Sequence, residues 1–310
     1  MTLFSILFDN TNTLRSGWRF AVFVMAFIFF GSIAGLITVG FLMAVSTPAE
    51  PGTALLLTVN GIVSSAVALS VGWLCAKYLE RLPFRSLGAT LAGNWLVNLV
   101  LGLLIGGAAL ALAAFIGMIP GGLSFRFNSE ASLSAIGYTL AVTFAIFAAA
   151  AAFEEALLRG YILQTFVRSN LSLFAVFFTS LVFATLHNAN PNATWLSWLN
   201  TFLAGVWLAV AYLKTRDLWL PLGVHLSWNW VQGSIFGVEV SGLTKIVEAP
   251  LMRESDNGPA WLTGGDYGIE GGVACTIALI VSTIAVHYMP FLSPDDELLA
   301  MTRPKAEPTA

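Results

Sequence analysis

The stretch Phe153-Glu154-Glu155-Ala156-Leu157-Leu158-Arg159-Gly160 ends an apolar run that begins near Leu133. It holds two adjacent carboxylates and an arginine, although only 10% of the residues in the chain are charged. An ionisable side chain at membrane depth is costly unless it is paired or hydrated, and it indicates a functional site. The question is which other polar groups in the chain these three charges could meet.

The composition is that of an integral membrane protein. Apolar residues make up 57% of the 310 residues, and the mean hydropathy is +0.81. The net charge of −3 argues against a nucleic-acid partner. Cys75 and Cys275 both fall in apolar runs, so the sequence predicts neither a disulfide framework nor a cysteine metal cluster.

The hydropathy pattern predicts an all-α, polytopic membrane protein with about eight transmembrane helices around a polar intramembrane cavity. The expected spans are 18–46, 53–76, 93–118, 133–158, 171–187, 195–213, 218–236 and 271–291. The expected organisation is an interfacial segment (1–17), transmembrane helices 1–3 (18–130), a core of helices 4–8 (131–292) and a disordered cytoplasmic tail (293–310).

Two further features concern packing and loops. Gly31 and Gly35, and again Gly102 and Gly106, have the spacing that lets membrane helices approach closely. The general glycine content of membrane helices explains such a pair equally well. The intervals 123–132 and 237–270 are polar or glycine-rich, and both are expected to be loops.

The distribution of cations predicts the orientation. Of the 14 Lys and Arg residues, Arg126, Lys245 and Arg253 would lie on one side of the membrane, and the other 11 on the side of both termini. Cytoplasmic loops carry an excess of Lys and Arg, so both termini are expected in the cytoplasm.

Helix geometry separates the two adjacent carboxylates. Glu155 and Arg159 are four residues apart, share a face and can pair, which gives them a structural role. Glu154 is turned about 100° away, so it is less easily neutralised and is assigned the chemical role. The alternative is that both acids simply neutralise Arg159.

Two of the three histidines have suitable neighbours. His187 ends the fifth span, with Phe183 one turn before it. His225 and Asn229 are four residues apart on the seventh span and point the same way. A single buried histidine is more often structural than catalytic, and His287 has no polar partner at helical spacing.

Gathered around one hydrated cavity, these groups could hydrolyse a peptide bond. Glu154 would deprotonate water, His187 would orient it, and His225 with Asn229 would donate to the oxyanion. Zinc held by Glu154, His187 and His225 is the competing use. The chain lacks His-Glu-x-x-His, and no cysteine or serine has an evident catalytic partner.

Depth is one difficulty for this arrangement. Glu154 lies about 21 Å of helix from Arg168, and His187 lies about 24 Å from Leu171. His225, however, is only about 12 Å from Asp217. Either the seventh span starts deep, distorted by its proline and glycine, or its boundary is misplaced.

The three ordered motifs, Glu154-Glu155-x-x-x-Arg159, Phe183-x-x-x-His187 and His225-x-x-x-Asn229, resemble those of the CPBP intramembrane proteases. That family includes the type II CAAX prenyl endopeptidases, or Ras-converting enzymes, and bacteriocin-immunity proteins. The segment Trp261 to Gly271, including Glu270, resembles the C-terminal part of bacterial members. The resemblance implies the catalytic roles given above. The family has been described both as glutamate-type and as metal-dependent.

The expected function is therefore an intramembrane endopeptidase, glutamate-type in preference to zinc-dependent, with no required cofactor. Its expected partners are membrane lipid and a membrane-associated protein or peptide, with or without a lipidated C-terminus. The short, loop-poor chain resembles bacterial members, which suggests a bacterial inner membrane. The alternative is a non-catalytic immunity factor, scaffold or transporter that uses the same polar cluster structurally.

Overall fold

Eight helices of 12 residues or more follow one another in the order that the hydropathy pattern predicts. The computed structural model describes residues 6–9, 12–45, 52–243 and 246–303. The helices are α1 (Ser16–Val45), α2 (Thr53–Glu80), α3 (Trp95–Met118), α4 (Leu133–Glu155), α5 (Ser172–His187), α6 (Trp195–Thr215), α7 (Trp219–Trp230) and α8 (Val273–Tyr288).

Five of these helices are long and apolar enough to cross a membrane: α1, α2, α3, α4 with its continuation to Val167, and α6. Helices α5 and α8 are apolar but shorter, at 16 residues each. The predicted fold class, an all-α polytopic membrane protein, is confirmed. The number of eight crossings stays a prediction.

Two helices change their hydrogen-bonding pattern near the polar residues. Helix α4 continues as a π-helix over Ala156–Leu163 and then as a short α-helix over Gln164–Val167. Helix α7 likewise continues as a π-helix over Val231–Phe236. Such π-helical turns within α-helices occur frequently at functional sites.

The two intervals predicted to be loops contain a small antiparallel sheet. Strand β1 (Leu123–Phe127) pairs with β2 (Met252–Asp256), with Leu123 opposite Asp256. Apolar residues alternate along β1, and Phe125 packs on Phe236 with ring centroids 4.8 Å apart. The interval 237–272 also contains three short helical segments, Ala260–Thr263, Gly265–Tyr267 and Ile269–Gly271.

Close helix packing uses only one of the two predicted glycine pairs. A Cβ atom at Gly102 would overlap the carbonyl oxygen of Leu220, and one at Gly106 would overlap that of Val224. These glycines therefore let α3 lie against α7. A Cβ atom at Gly35 would meet no heavy atom of another helix within 4 Å among the described residues, so the expectation fails there.

The start of α7 is buried within the protein. The Asp217 carboxylate, itself 6% exposed, accepts hydrogen bonds from the backbone N–H groups of Trp219 (3.0 Å) and Leu220 (3.3 Å). The Leu218 N–H donates to the carbonyl of Gly88. The predicted start was right to within a residue, and the segment before α3 covers the start of α7. The depth of this start in the membrane stays a prediction.

The predicted disorder of the tail is wrong over α9 (Asp296–Thr302). The Asp295 side chain caps this helix by accepting from the N–H groups of Glu297 and Leu298. Arg85 pairs with Asp295 (3.2 Å) and Glu297 (2.5 Å), which fixes the helix to the bundle.

Parts of some predictions lie outside the described residues. They are residues 1–5 and 10–11 of the interfacial segment, the turn around Pro48 and Pro51, Lys245, and residues 304–310 of the tail.

Candidate active site

The ion pair predicted on α4 is at the centre of the bundle. The Arg159 guanidinium lies 3.1 Å from Glu155 Oε1, and the two side chains are 0% and 1% exposed. Arg159 also donates to the carbonyl of Gly205 (3.2 Å) and lies 5.0 Å over the Phe183 ring. Such complete burial of a charged pair requires these additional contacts, because a charge removed from water is otherwise costly.

Glu154 has a different environment from its neighbour. Its side chain is 27% exposed, and its Oε2 lies 3.7 Å from His225 Nε2 and 3.9 Å from His187 Nε2. Within the described chain, this oxygen has no hydrogen-bond partner. The carboxylate of Glu154 is thus directed at two imidazoles rather than at an arginine.

The hydrogen bond of His187 defines its tautomer. His187 is the last residue of α5, and its Nδ1 lies 2.8 Å from the carbonyl oxygen of Phe183. A carbonyl only accepts, so Nδ1 carries the proton. In the neutral ring, Nε2 then offers a lone pair on the side that faces Glu154.

His225 connects the two carboxylates. Its Nδ1 lies 3.0 Å from Glu155 Oε1, so the ring donates to the same oxygen that pairs with Arg159. Its Nε2 faces Glu154. The ring of Phe183 packs against both histidines, with centroids 4.5 Å from His187 and 5.8 Å from His225.

A cavity lies beside the two histidines. The space open to the centre of a water molecule is about 40 Å³, which accommodates a few waters because one needs roughly 10–15 Å³. Asn229, one turn beyond His225, faces this space, and within the described residues its amide makes no hydrogen bond. Glu154 is not among the lining residues, but its Oε2 lies within 4 Å of Nε2 of the two histidines that are. The lining includes Phe183, His187, Asn200, Thr201, Trp207, His225, Trp228, Asn229, Ser241, Glu270, Cys275 and Leu279.

Sequence reasoning assigned no role to Glu270, yet its carboxylate forms part of the cavity wall. It accepts from Trp228 Nε1 (3.2 Å) and from the backbone N–H (2.6 Å) and hydroxyl (2.8 Å) of Ser241. Glu270 therefore ties the segment after α7 to the residue next to Asn229. The motif resemblance included Glu270, but no spacing pattern linked it to Trp228.

Asn200 is a second residue that the sequence did not reveal. Its amide donates to the carbonyls of Glu270 (2.8 Å) and Gly272 (2.9 Å), and its oxygen accepts from the Thr276 hydroxyl (2.6 Å). These bonds hold the start of α8 against α6 on one side of the cavity.

The metal alternative was predicted to use Glu154, His187 and His225. Zinc bonds of about 2.0 Å would place tetrahedral ligand atoms about 3.3 Å apart, whereas Glu154 Oε2 lies 3.7 and 3.9 Å from the imidazole nitrogens. No group of three His, Cys, Asp or Glu side chains in the described ranges is arranged to hold a metal ion. The role of a metal stays a prediction for experiment.

These features define a class: a polytopic helical membrane protein in which two imidazoles and an amide line a water-sized cavity and a carboxylate, that of Glu154, faces both imidazoles. Comparison with known families matches residues 135–231 to the family described as type II CAAX prenyl endopeptidase Rce1-like. This part of the chain is similar to that family, so the resemblance inferred from the motifs is confirmed. No curated protein matches the chain.

The matched residues run from α4 to the end of α7 and include all four predicted catalytic residues. The match to this family supports an intramembrane CAAX protease activity and a membrane-associated peptide substrate. With its several apolar helices, the chain is an integral membrane protein.

Proposed function

We propose that this protein is an intramembrane endopeptidase in which Glu154 activates the attacking water. The observation that carries the proposal is the position of Glu154 Oε2, which has no arginine partner and faces Nε2 of both His187 and His225. Glu155, by contrast, is engaged by Arg159. A general base must be able to take a proton, and a carboxylate already held by a guanidinium is poorly suited to that role.

In the first step, water lies between Glu154 Oε2 and His187 Nε2. The neutral His187 ring accepts one hydrogen bond and orients the water, while Glu154 takes a proton. The water oxygen forms a bond to the carbonyl carbon of the scissile peptide, and the carbonyl oxygen becomes an oxyanion.

The oxyanion accepts hydrogen bonds from His225 Nε2 and the Asn229 amide. Two carboxylates and one guanidinium leave one negative charge in this buried cluster, which a doubly protonated His225 neutralises. Such a ring has an N–H at Nε2 to donate. Collapse of the intermediate breaks the C–N bond, and the proton on Glu154 goes to the leaving amine.

The proposed substrate is a membrane-associated protein or peptide, with or without a lipidated C-terminus. The proposed location is a bacterial inner membrane with both termini in the cytoplasm. The excess of Lys and Arg on the side of the termini supports this orientation.

The test compares Glu154→Gln with the wild-type protein, purified in detergent, on a quenched fluorescent peptide with a farnesylated CAAX C-terminus and on the same peptide without the lipid. We expect turnover to fall by about 10²–10⁴-fold, the usual contribution of a general base. Glu130→Gln is the matched control, because Glu130 is exposed and pairs only with Arg126 and Arg253 among the described residues.

Full activity of Glu154→Gln would contradict the proposal. Loss of wild-type turnover on chelation, with recovery on adding zinc, would replace the glutamate mechanism with the metal one. A folded wild-type protein that cleaves neither peptide would favour the non-catalytic alternative.

A further inference from the structure

A second cavity lies on the outside of the bundle, between α5, α6 and the end of α8. It is an open groove of about 480 Å³, whereas the space beside the two histidines is about 40 Å³. The two cavities have no lining residue in common. The groove is therefore a separate site, and it is large enough for an organic chain rather than a few waters.

One face of α6 forms the floor of this groove. Every fourth residue from Phe202 to Lys214 lines it, with Val206 and Val210 between them, and residues at this spacing lie one above another on a helix. The Phe202 ring, the farthest of these from Lys214, lies 5.5 Å from the ring of Phe177 on α5. The floor is thus a stripe of apolar side chains that ends in an ammonium group.

The length of the groove matches one leaflet of a bilayer. Lys214 follows Phe202 by twelve residues of α6, which is about 18 Å of helix, and half of a hydrocarbon core is about 15 Å. Ser172 is the first residue of α5, and Lys214 and His287 are each next to last in α6 and α8. The polar end of the groove therefore lies at the ends of three apolar helices, where lipid headgroups are expected.

Lys214 gives this end of the groove a positive charge. Its ammonium donates to the backbone carbonyl of His287 (3.0 Å), and within the described ranges it has no carboxylate partner. The exposed His287 lines the same end, and the described residues that line the groove include no Asp or Glu. An ammonium has three donors, so two remain for an anion.

Other cations at helix ends have a different environment. The two arginines beside Glu80 share that carboxylate. Lys77, like Lys214, is in the last turn of an apolar helix, but it lies 5.2 Å over the Trp73 ring of its own helix and does not line the groove. Lys214 therefore combines a charge without a carboxylate partner with an apolar groove beside it.

We propose that this groove binds one anionic phospholipid of the surrounding bilayer, with an acyl chain along α6 and the phosphate at Lys214. Basic pockets between transmembrane helices bind anionic headgroups, and one cation near the surface favours an anionic lipid about fivefold. A zwitterionic headgroup fits the groove less well, because its own cation is repelled by the ammonium. Since the groove shares no lining residue with the cavity, the occupant is a bilayer lipid rather than the lipid group of a substrate, and the proposal does not rest on the proposed function.

The test is native mass spectrometry of the full-length protein, purified in a neutral detergent and titrated with dioleoylphosphatidylglycerol or with dioleoylphosphatidylcholine. Lys214→Gln removes the charge but keeps a donor for the His287 carbonyl, and Lys214→Arg restores a cation. Lys77→Gln is the matched control, because it removes a lysine from the last turn of another apolar helix. Val210→Trp fills the middle of the groove.

We expect the wild-type protein to retain one phosphatidylglycerol about fivefold more tightly than phosphatidylcholine. Lys214→Arg and Lys77→Gln should keep this preference, and Lys214→Gln should lose it. A preference in Lys214→Gln as large as that of the wild-type protein would overturn the proposal. Retention of the lipid by folded Val210→Trp would also overturn it, because the lipid would then bind elsewhere.

Thermal unfolding in the same detergent provides a second measurement. A ligand that binds the folded state stabilises it, so added phosphatidylglycerol should raise the unfolding midpoint of the wild-type protein more than that of Lys214→Gln. An equal rise in both would contradict a headgroup site at Lys214.

A farnesylated peptide serves as the competing occupant. We expect it to leave the bound phosphatidylglycerol in place. Displacement of this lipid, one molecule for one, would assign the groove to the lipid group of a substrate and would overturn the proposal.

Discussion

Glu80 and Glu155 are both 1% exposed and both paired with arginine, but they belong to different kinds of cluster. Glu80 is held by two guanidinium groups, those of Arg19 and Arg168, each 3% exposed. Glu155 pairs with a single guanidinium, that of Arg159, and also accepts from His225 Nδ1, while the neighbouring Glu154 faces imidazoles only. The two clusters differ in the number of guanidinium groups per carboxylate. Glu80 has two, whereas Glu154 and Glu155 have one between them.

This comparison shows why burial alone does not mark a functional charge. A carboxylate with two guanidinium partners has no capacity left to take a proton from water. Where two adjacent carboxylates have one guanidinium between them and it binds the first, the second must rely on imidazoles and on the adjoining cavity. Glu154 is in that position, and the comparison can be tested by changing the number of cations or carboxylates at each place.

The largest effect is expected for Arg159→Ala, which leaves Glu155 buried without a guanidinium. We expect the free energy of unfolding to fall by about 3–5 kcal/mol, as for other broken buried ion pairs. Turnover should also be lost, because His225 is oriented through the same oxygen of Glu155. Unfolding in detergent and peptide cleavage measure the two effects, and unchanged stability would show that the central cluster does not need its arginine.

Glu80→Gln should lower the stability of the protein without lowering its activity. The two arginines would lose their shared carboxylate, and we expect a loss of about 3 kcal/mol in unfolding free energy. Turnover per folded molecule should stay near the wild-type value, since neither Glu80 nor its two arginines line the cavity. A fall in turnover as large as that of Glu154→Gln would remove the distinction between the two clusters.

Glu270 extends the comparison to a carboxylate whose partners within the described ranges are neutral donors, Trp228 and Ser241. Glu270→Gln presents an amide where these donors need an acceptor, so about 1.5–3 kcal/mol of stability should be lost. As a positioning residue, Glu270 should affect KM more than kcat, because it holds the cavity wall rather than the attacking water. An equal fall in kcat and kcat/KM would instead assign it to the chemical step.

The smallest effect concerns Glu254 on β2, outside the helical spans. Burial, together with the charges of Glu239 and Asp256, raises its pKa from 4.5 to about 7. An acid with a raised pKa in the folded state contributes stability below pH 4.5 and loses it as the pH rises towards 7. The midpoint of thermal unfolding should therefore fall over this range. The corresponding loss in the free energy of unfolding is under about 1 kcal/mol, because the group is partly exposed.

Glu254→Gln should flatten this part of the pH profile, while Glu130→Gln should leave it unchanged. A profile that keeps its slope in Glu254→Gln would assign the pH dependence to another group.

The parts of the fold that sequence could predict depend on spacing within one helix. The pairing of Glu155 with Arg159 follows from four-residue spacing, and the use of Gly102 and Gly106 follows from the small-residue pattern. The same pattern at Gly31 failed, because spacing shows that a close approach is allowed but not that a partner helix is present.

The remaining features depend on residues far apart in the chain. Strands β1 and β2 are separated by more than a hundred residues, and neither is long enough to be evident alone. Glu270 meets Trp228 only because the segment after α7 folds back over the cavity. The tail was predicted to be disordered from its charge, but two of its acidic residues pair with Arg85.

The π-helix at Ala156–Leu163 has a consequence for how this chain can change in length. Each wider turn holds about one residue more than an α-helical turn, and one residue corresponds to about 100° of rotation. Loss of a single codon in this interval could restore regular helix geometry, yet it would swing Arg168 away from Glu80 if Glu155 kept its direction. Homologous genes should therefore show few insertions or deletions here, even where the identity of the amino acids drifts.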